Sequence, residues 1–283
     1  MPSGRANGLA ADRAVGRSTI LPRVMDSGND PFPGSGGRTA LAERVRIPAV
    51  AWGIHLFTGT GIVFGLLGLL GVLDNSPRAA LLWLMVAQVV DGLDGPMARA
   101  CSVKLLVPRV DGNTMDLVID YVTCVLAPAV FVHQFGLLPH RFSLVGTGLI
   151  LVSSLYAFSR TDLMTEDHFF NGFPAMWNLA VNVMWILNTR RSVNLVVVVL
   201  LVLLTFLPVQ FPHPVRVRGQ RGVTLPVTIV WLGTMAYFTA IESTPHWGEV
   251  VQILCVAWYG WLVVERTVRG PQPETAPAPV RVA

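Results

Sequence analysis

Charge is scarce in this chain of 283 residues: only 13% are Asp, Glu, Lys or Arg, against about 25% in an ordinary soluble domain. Hydrophobic residues make up 52% of the chain and mean hydropathy is +0.55. This balance argues against a soluble domain with a charged surface and points to the bilayer as solvent. Cysteine is scarce too. Cys101, Cys124 and Cys255 are odd in number, far apart and without CxxC spacing, so neither a disulfide framework nor a zinc site follows from them. The first residues lack the continuous apolar stretch of a signal peptide. No basic run is interleaved with aromatics, so the net charge of +4 reflects contact with anionic membrane lipid and not with nucleic acid.

What the chain does have is a series of apolar runs, each close to the ~20 residues needed to cross a hydrocarbon core. They cover 49–72, 78–98, 113–135, 142–161, 173–189, 193–209, 225–242 and 247–265. Turn, proline and charge clusters such as DNSPR, LLPHR, TDLMTEDHFFNG, NTRRS and FPHPVRVRGQRG separate them. The expected fold is therefore all-α: a polytopic integral membrane helical bundle, with about eight transmembrane helices spanning residues 49–265. A short amphipathic interfacial helix over 39–48 precedes it, where TALAERVR sets Leu41 and Val45 on one side of a helix lying on the membrane. Residues 1–38, rich in Gly, Arg, Ser and Pro, and residues 266–283 read as disordered cytoplasmic tails. With the amino terminus inside, every basic residue except Arg78, Arg141, Arg190 and Arg191 falls on the inner loops and tails. Both termini are therefore expected in the cytoplasm.

Against this apolar background stand four aspartates. Asp91 and Asp94 lie at i and i+3 near the end of the second run, and Asp116 and Asp120 at i and i+4 near the start of the third. Each pair shares one helix face, and both pairs belong at the same cytoplasmic surface. Packed side by side, the two helices would converge hard oxygen ligands suited to Mg²⁺ or Mn²⁺. Charge of this kind is costly in a membrane and is retained for function. Gly92, Gly95 and Ala98 add a surface almost free of side chains, where a backbone or a flat ligand can approach. Arg99 follows with a planar fork able to reach a phosphate oxygen, and Gly112 precedes Asp116 by one turn. Asp111 reads instead as a solvated loop residue or a helix cap.

These positions resemble the signature of the CDP-alcohol phosphotransferase family, D-x-x-D-G-x-x-A-R, a spacer, then G-x-x-x-D-x-x-x-D. Asp91, Asp94, Gly95, Ala98, Arg99, Gly112, Asp116 and Asp120 fill every fixed position. The spacer from Ala100 to Asp111 is twelve residues, longer than is usual and similar to that of the bacterial phosphatidylcholine synthases within the family. AWGIHLFTGTG at 51–61, TEDHFFNGFPAMWN at 165–178 and HPVRVR at 213–218 look like the matching stretches of that branch, so the resemblance covers roughly residues 45–265.

The resemblance implies a bacterial inner-membrane enzyme with a cytoplasmic active site. Its substrates would be CDP-diacylglycerol and choline, its products CMP and phosphatidylcholine, and its cofactor two Mn²⁺ or Mg²⁺ ions held by Asp91, Asp94, Asp116 and Asp120. By the same resemblance Asp120 is the general base, with Asp116 beside it in catalysis, and related enzymes are often homodimers. Two other readings stand at this point: the same chemistry with serine, inositol or glycerol phosphate as acceptor, and a membrane transporter whose aspartates bind a cation. Transporter sites sit near the midplane on broken helices, and no inverted repeat is apparent here.

The remaining candidates carry two readings each. Thr58 and Thr60 could hydrogen-bond the nucleotide or their own helix backbone. His55 is a ligand or a core histidine. Tyr156, Phe169, Phe170, Phe173 and Trp177, with Glu166 and Asp167 beside them, could form an aromatic cage for choline's quaternary ammonium or an interfacial aromatic belt. Arg216, Arg218 and Arg221 mark the cytoplasmic side or bind phosphate.

Overall fold

The DNSP sequence ends the first helix and starts the second. Asn75 adopts φ 53°, a left-handed conformation that asparagine tolerates, and Pro77 opens the next helix where no N–H is needed. In this computed structural model the described residues are 36–101, 110–165, 168–213, 221–241 and 243–270, without the side chains of 36–48 and 221. The chain divides into two units, Met1–Glu43 and Arg44–Ala283, and all described side chains belong to the second.

Among the described residues there are α1 (Gly36–Leu73), α2 (Pro77–Ala100), α3 (Gly112–Gln134), α4 (Ser143–Ser159), α5 (Trp177–Ile186), α6 (Arg191–Phe206), α7 (Arg221–Ala240) and α8 (His246–Arg269). Helix is continuous through 39–48 into the first apolar run. The middle of α3 widens into a π-helical turn at Tyr121–Leu126, directly after Asp120. Such turns inside an α-helix often mark functional sites.

Each apolar run of the sequence contains helix, but not all are alike. Ala49–Leu73, Gly112–Gln134, His140–Ser159, Gly222–Ala240 and His246–Arg269 are long and apolar enough to cross a membrane. The α2 helix is long, at 24 residues, yet carries Asp91, Asp94 and Arg99 in its second half. The run over 173–189 forms a helix of only 10 residues, about 15 Å at 1.5 Å per residue. Its start is delayed by Pro174 and by Ala175 at φ 57°. This short α5 is enclosed on both sides. Trp177 and Val181 join Phe131, Leu138, Ile150 and Val198 in one core, while Leu179 and Ile186 join Met85, Trp231, Met235 and Phe238 in another. Leu144, Val152, Val196 and Leu254 are exposed, an apolar outer surface matched to lipid and not to water.

From their composition, TDLMTEDHFFNG and FPHPVRVRGQRG are expected as loops. In the fold, β1 (Phe169–Asn171) and β2 (Gln210–Pro212) pair antiparallel within them, with Phe170 opposite Phe211. The ribbon is fastened on both strands at the end where Asn171 pairs with Gln210. Arg160 donates to both carboxylate oxygens of Asp162 (2.8 and 2.7 Å) and to the Asn171 carbonyl (2.8 Å), and Gln210 N–H donates to Thr267 Oγ1 on α8 (3.2 Å). The guanidinium holds the exposed Asp162 carboxyl below the ordinary carboxylate range, mainly through those hydrogen bonds.

Candidate metal centre

Small residues on α1 bring α2 and α3 together. A Cβ at Gly71 would lie 2.8 Å from Ala80 N and one at Gly68 would lie 2.9 Å from Leu84 on α2. On the other side, Cβ atoms at Gly61 and Gly65 would lie 2.9 Å from Ile119 and from Thr123 of α3, respectively. Glycines at this spacing let helix backbones approach closely in a membrane. The register they impose makes α2 antiparallel and α3 parallel to α1. The end of α2 and the start of α3 therefore reach the same level, where Ala51 and Ile54 pack with Ala98, Cys101 and Val110.

About two helical turns along from that contact, near where Gly61 meets Ile119, the carboxylates of Asp91, Asp116 and Asp120 converge, each offering an oxygen within 4.8 Å of the others. Asp94 is buried beside them and acts electrostatically on Asp120, but stands next to the triad and not in it. Sequence spacing sets Asp94 on the same helix face as Asp91, one turn further along from the cluster of three. Asp111 caps α3: its side chain accepts from Asn113 N–H (3.1 Å) and Thr114 Oγ1 (2.6 Å). That leaves it a structural part in starting the helix.

Three half-buried like charges repel one another, and burying a carboxylate without partners is expensive. Asp120 Oδ1 is buried and has no hydrogen-bond partner among the described residues. A hard divalent cation answers both costs. An all-oxygen donor set of carboxylates suits such an ion, so the residues present fit a metal.

The surroundings divide the other predicted residues. Gly92 faces open space, as an approach surface should, and Pro96, one turn later, has no N–H to give the Gly92 carbonyl. Arg99 is exposed and Gly95 half-buried. Ala98 instead packs toward α1, and a Cβ at Gly112 would lie 3.4 Å from His55 Cε1. These two lie against α1. His55 Nε2 is itself buried without a partner among the described residues. Thr58 is buried, and the Thr60 hydroxyl donates to Phe57 O of its own helix (2.6 Å).

The aromatic group is not assembled into one open cage. Trp177 is fully buried and its indole N–H donates to Ser154 Oγ (2.9 Å). Phe173 is buried between Trp177 and Phe211, and Phe169 lies under the Arg266 guanidinium, 4.9 Å from ring centre to Cζ. Tyr156 is exposed on α4 against Phe206, while Phe170 stacks on His213. Core volume claims the largest rings, because they carry the most apolar area. Glu166, Asp167, Arg216 and Arg218 lie outside the described residues, as does the side chain of Arg221. Trp177→Phe is expected to lower stability by about 1–3 kcal/mol, since the Ser154 hydroxyl loses its buried partner, as read by thermal unfolding in detergent.

Two residues next to the triad escape a reading by motif. Gln88 Nε2 donates to Asp91 Oδ2 (3.1 Å), and Gln88 Oε1 accepts from Asn178 Nδ2 (2.6 Å). The available signal was Gln88 itself, an amide one turn before Asp91 in an otherwise apolar stretch.

The chain is similar to the phosphatidylcholine synthase of Pseudomonas aeruginosa, with 45% identity over 184 residues, which is 65% of this chain and 77% of the relative. It is also similar to the phosphatidylcholine synthases of Rhizobium meliloti and Borreliella burgdorferi, at 37% and 33% identity. Those alignments cover 75% and 76% of this chain, and 88% and 92% of the relatives. No family model matches the chain.

Proposed function

Because the chain belongs to the phosphatidylcholine synthase family, we propose that it transfers the phosphatidyl group of CDP-diacylglycerol to choline and releases CMP. The observation that carries this reading is the convergence of Asp91, Asp116 and Asp120 around the buried, unpartnered Asp120 Oδ1. A diphosphate at headgroup level is a concentrated anion, and its cleavage needs positioning and charge neutralisation more than covalent help.

In the reaction, the choline hydroxyl oxygen forms a bond to the phosphorus attached to diacylglycerol. The bond from that phosphorus to the bridging oxygen breaks, and CMP leaves with the electron pair. Asp120 accepts the hydroxyl proton. Asp91, Asp94 and Asp116 would hold Mn²⁺ or Mg²⁺, two ions in all with Asp120 contributing, and the metal would neutralise the diphosphate and the departing phosphate. Gly92 and Gly95 leave room for the nucleotide, and the exposed Arg99 reaches a phosphate oxygen. Choline's cationic end meets the 165–178 stretch, where Phe170 stays partly accessible. The enzyme works in the inner membrane with this face and both termini in the cytoplasm, as a homodimer.

Purified protein with CDP-diacylglycerol and Mn²⁺ is expected to release CMP with choline, and not with serine, inositol or glycerol phosphate. EDTA should abolish release, and excess Mn²⁺ or Mg²⁺ should restore it. CMP release with another acceptor alone would reassign the substrate. Metal uptake with no CMP release from any acceptor would favour a cation-binding transporter.

A further inference from the structure

The metal centre has a support built from three helices, and it meets at Gln88. The Gln88 amide N–H group faces Asp91 Oδ2 on its own helix, and its carbonyl faces Asn178 Nδ2 on α5. The Cys124 thiol, one turn beyond Asp120 on α3, also points its hydrogen at Gln88 Oε1 (3.8 Å). Asn178 is 4% exposed, so bulk water does not replace it.

We propose that Gln88 and Asn178 are positioning residues of the metal centre: Asn178 anchors the Gln88 amide from behind, and Gln88 in turn fixes the tilt of the Asp91 carboxylate toward Asp116 and Asp120. The inference rests on the reading of these carboxylates as a divalent-cation site. Asp91 sets the sense of the Gln88 amide, because a carboxylate only accepts, and with its NH₂ on Asp91 the Gln88 oxygen is left to accept from Asn178 Nδ2. A neutral donor also suits the task better than Lys or Arg. It orients the ligand without adding a positive charge beside the cation. Asn178 touches no carboxylate in this network and acts through Gln88, which a space-filling residue would not do.

The test measures Mn²⁺ binding to the full-length protein in detergent from the electron paramagnetic resonance signal of free Mn²⁺. Wild type is expected to bind, and Asp116→Asn to lose most of that binding. Gln88→Met conserves volume but removes both hydrogen bonds, and is expected to weaken binding by about 10–100-fold, the usual effect of losing a group that orients a metal ligand. Asn178→Ala is expected to weaken it in the same direction. The double variant should bind no worse than Gln88→Met alone, because groups acting in series are not additive. Wild-type affinity in both single variants, or fully additive losses, would overturn the proposal while leaving the metal centre intact. If Gln88→Met does not fold, Asn178→Ala decides alone: unchanged affinity rejects the relay. Wild type that takes up no Mn²⁺, or that binds no better than Asp116→Asn, would remove the underlying site as well.

Discussion

Asp116→Asn is expected to reduce CMP release from CDP-diacylglycerol and choline by about 10²–10³-fold or more, the scale on which one preorganised charge-stabilising group acts. The substitution keeps shape and one carbonyl oxygen. It removes a negative charge and puts an NH₂ donor where a cation must sit. Asp116 shares its cluster with Asp91 and Asp120, so the remaining two carboxylates cannot restore the charge by rearranging within a packed helix pair. Folding should not suffer. Without metal the three carboxylates repel one another, and losing one relieves that repulsion. Metal-free Asp116→Asn should therefore unfold in detergent at or above the wild-type temperature. Retained turnover at saturating Mn²⁺, with an unchanged elution profile, would remove Asp116 from the metal centre.

Gly172→Val is expected to lower stability by about 3 kcal/mol or more, and the loss has two additive sources. Gly172 has φ 88°, a conformation in which a β-branched residue is strained. A Cβ there would also lie 2.5 Å from the Thr205 carbonyl oxygen and 3.2 Å from that of Leu204. Both neighbours are backbone at the end of α6, so neither can swing away as a side chain would. The Gly172 and Phe173 N–H groups donate to Val209 O (2.7 Å) and Leu204 O (3.2 Å), and moving the strand aside would break those bonds. Gly92→Val supplies the contrast. A Cβ at Gly92 meets nothing within 4 Å, and valine has the higher helix propensity of the two, so the thermal unfolding temperature of this variant should stay at or slightly above that of wild type. Equal losses at both sites would contradict the close approach at Gly172.

Much of the site was legible because its language is local. The i, i+3 and i, i+4 spacing of Asp91, Asp94, Asp116 and Asp120 fixes which side chains share a helix face, whatever the tertiary fold. Asp111 was similarly readable as a cap, since capping involves only the next few residues. The breaks at Asn75 and Pro77 and the apolar runs between polar clusters were equally local. Less legible was what the small residues of the motif lie against. Ala98 and Gly112 sit within the motif, yet their neighbours are on α1, and a residue's partner on another helix is not written in its own spacing. The group of Tyr156, Phe169, Phe170, Phe173 and Trp177 carries two readings, cage or belt, for the same reason. Its rings were visible, but their division between the core, the ribbon and the outer surface was not.

By itself, the sequence determined the solvent, the helical segments and the acidic motif, because composition, periodicity and spacing act over one or two turns. Only the tertiary structure decided that three of the four carboxylates converge while Asp94 stands beside them. It also decided that Gln88 and Asn178, 90 positions apart, meet behind Asp91. Both outcomes depend on helix rotation and register. These are set here by glycines on α1 and by the enclosed α5, through contacts between residues far apart in the chain.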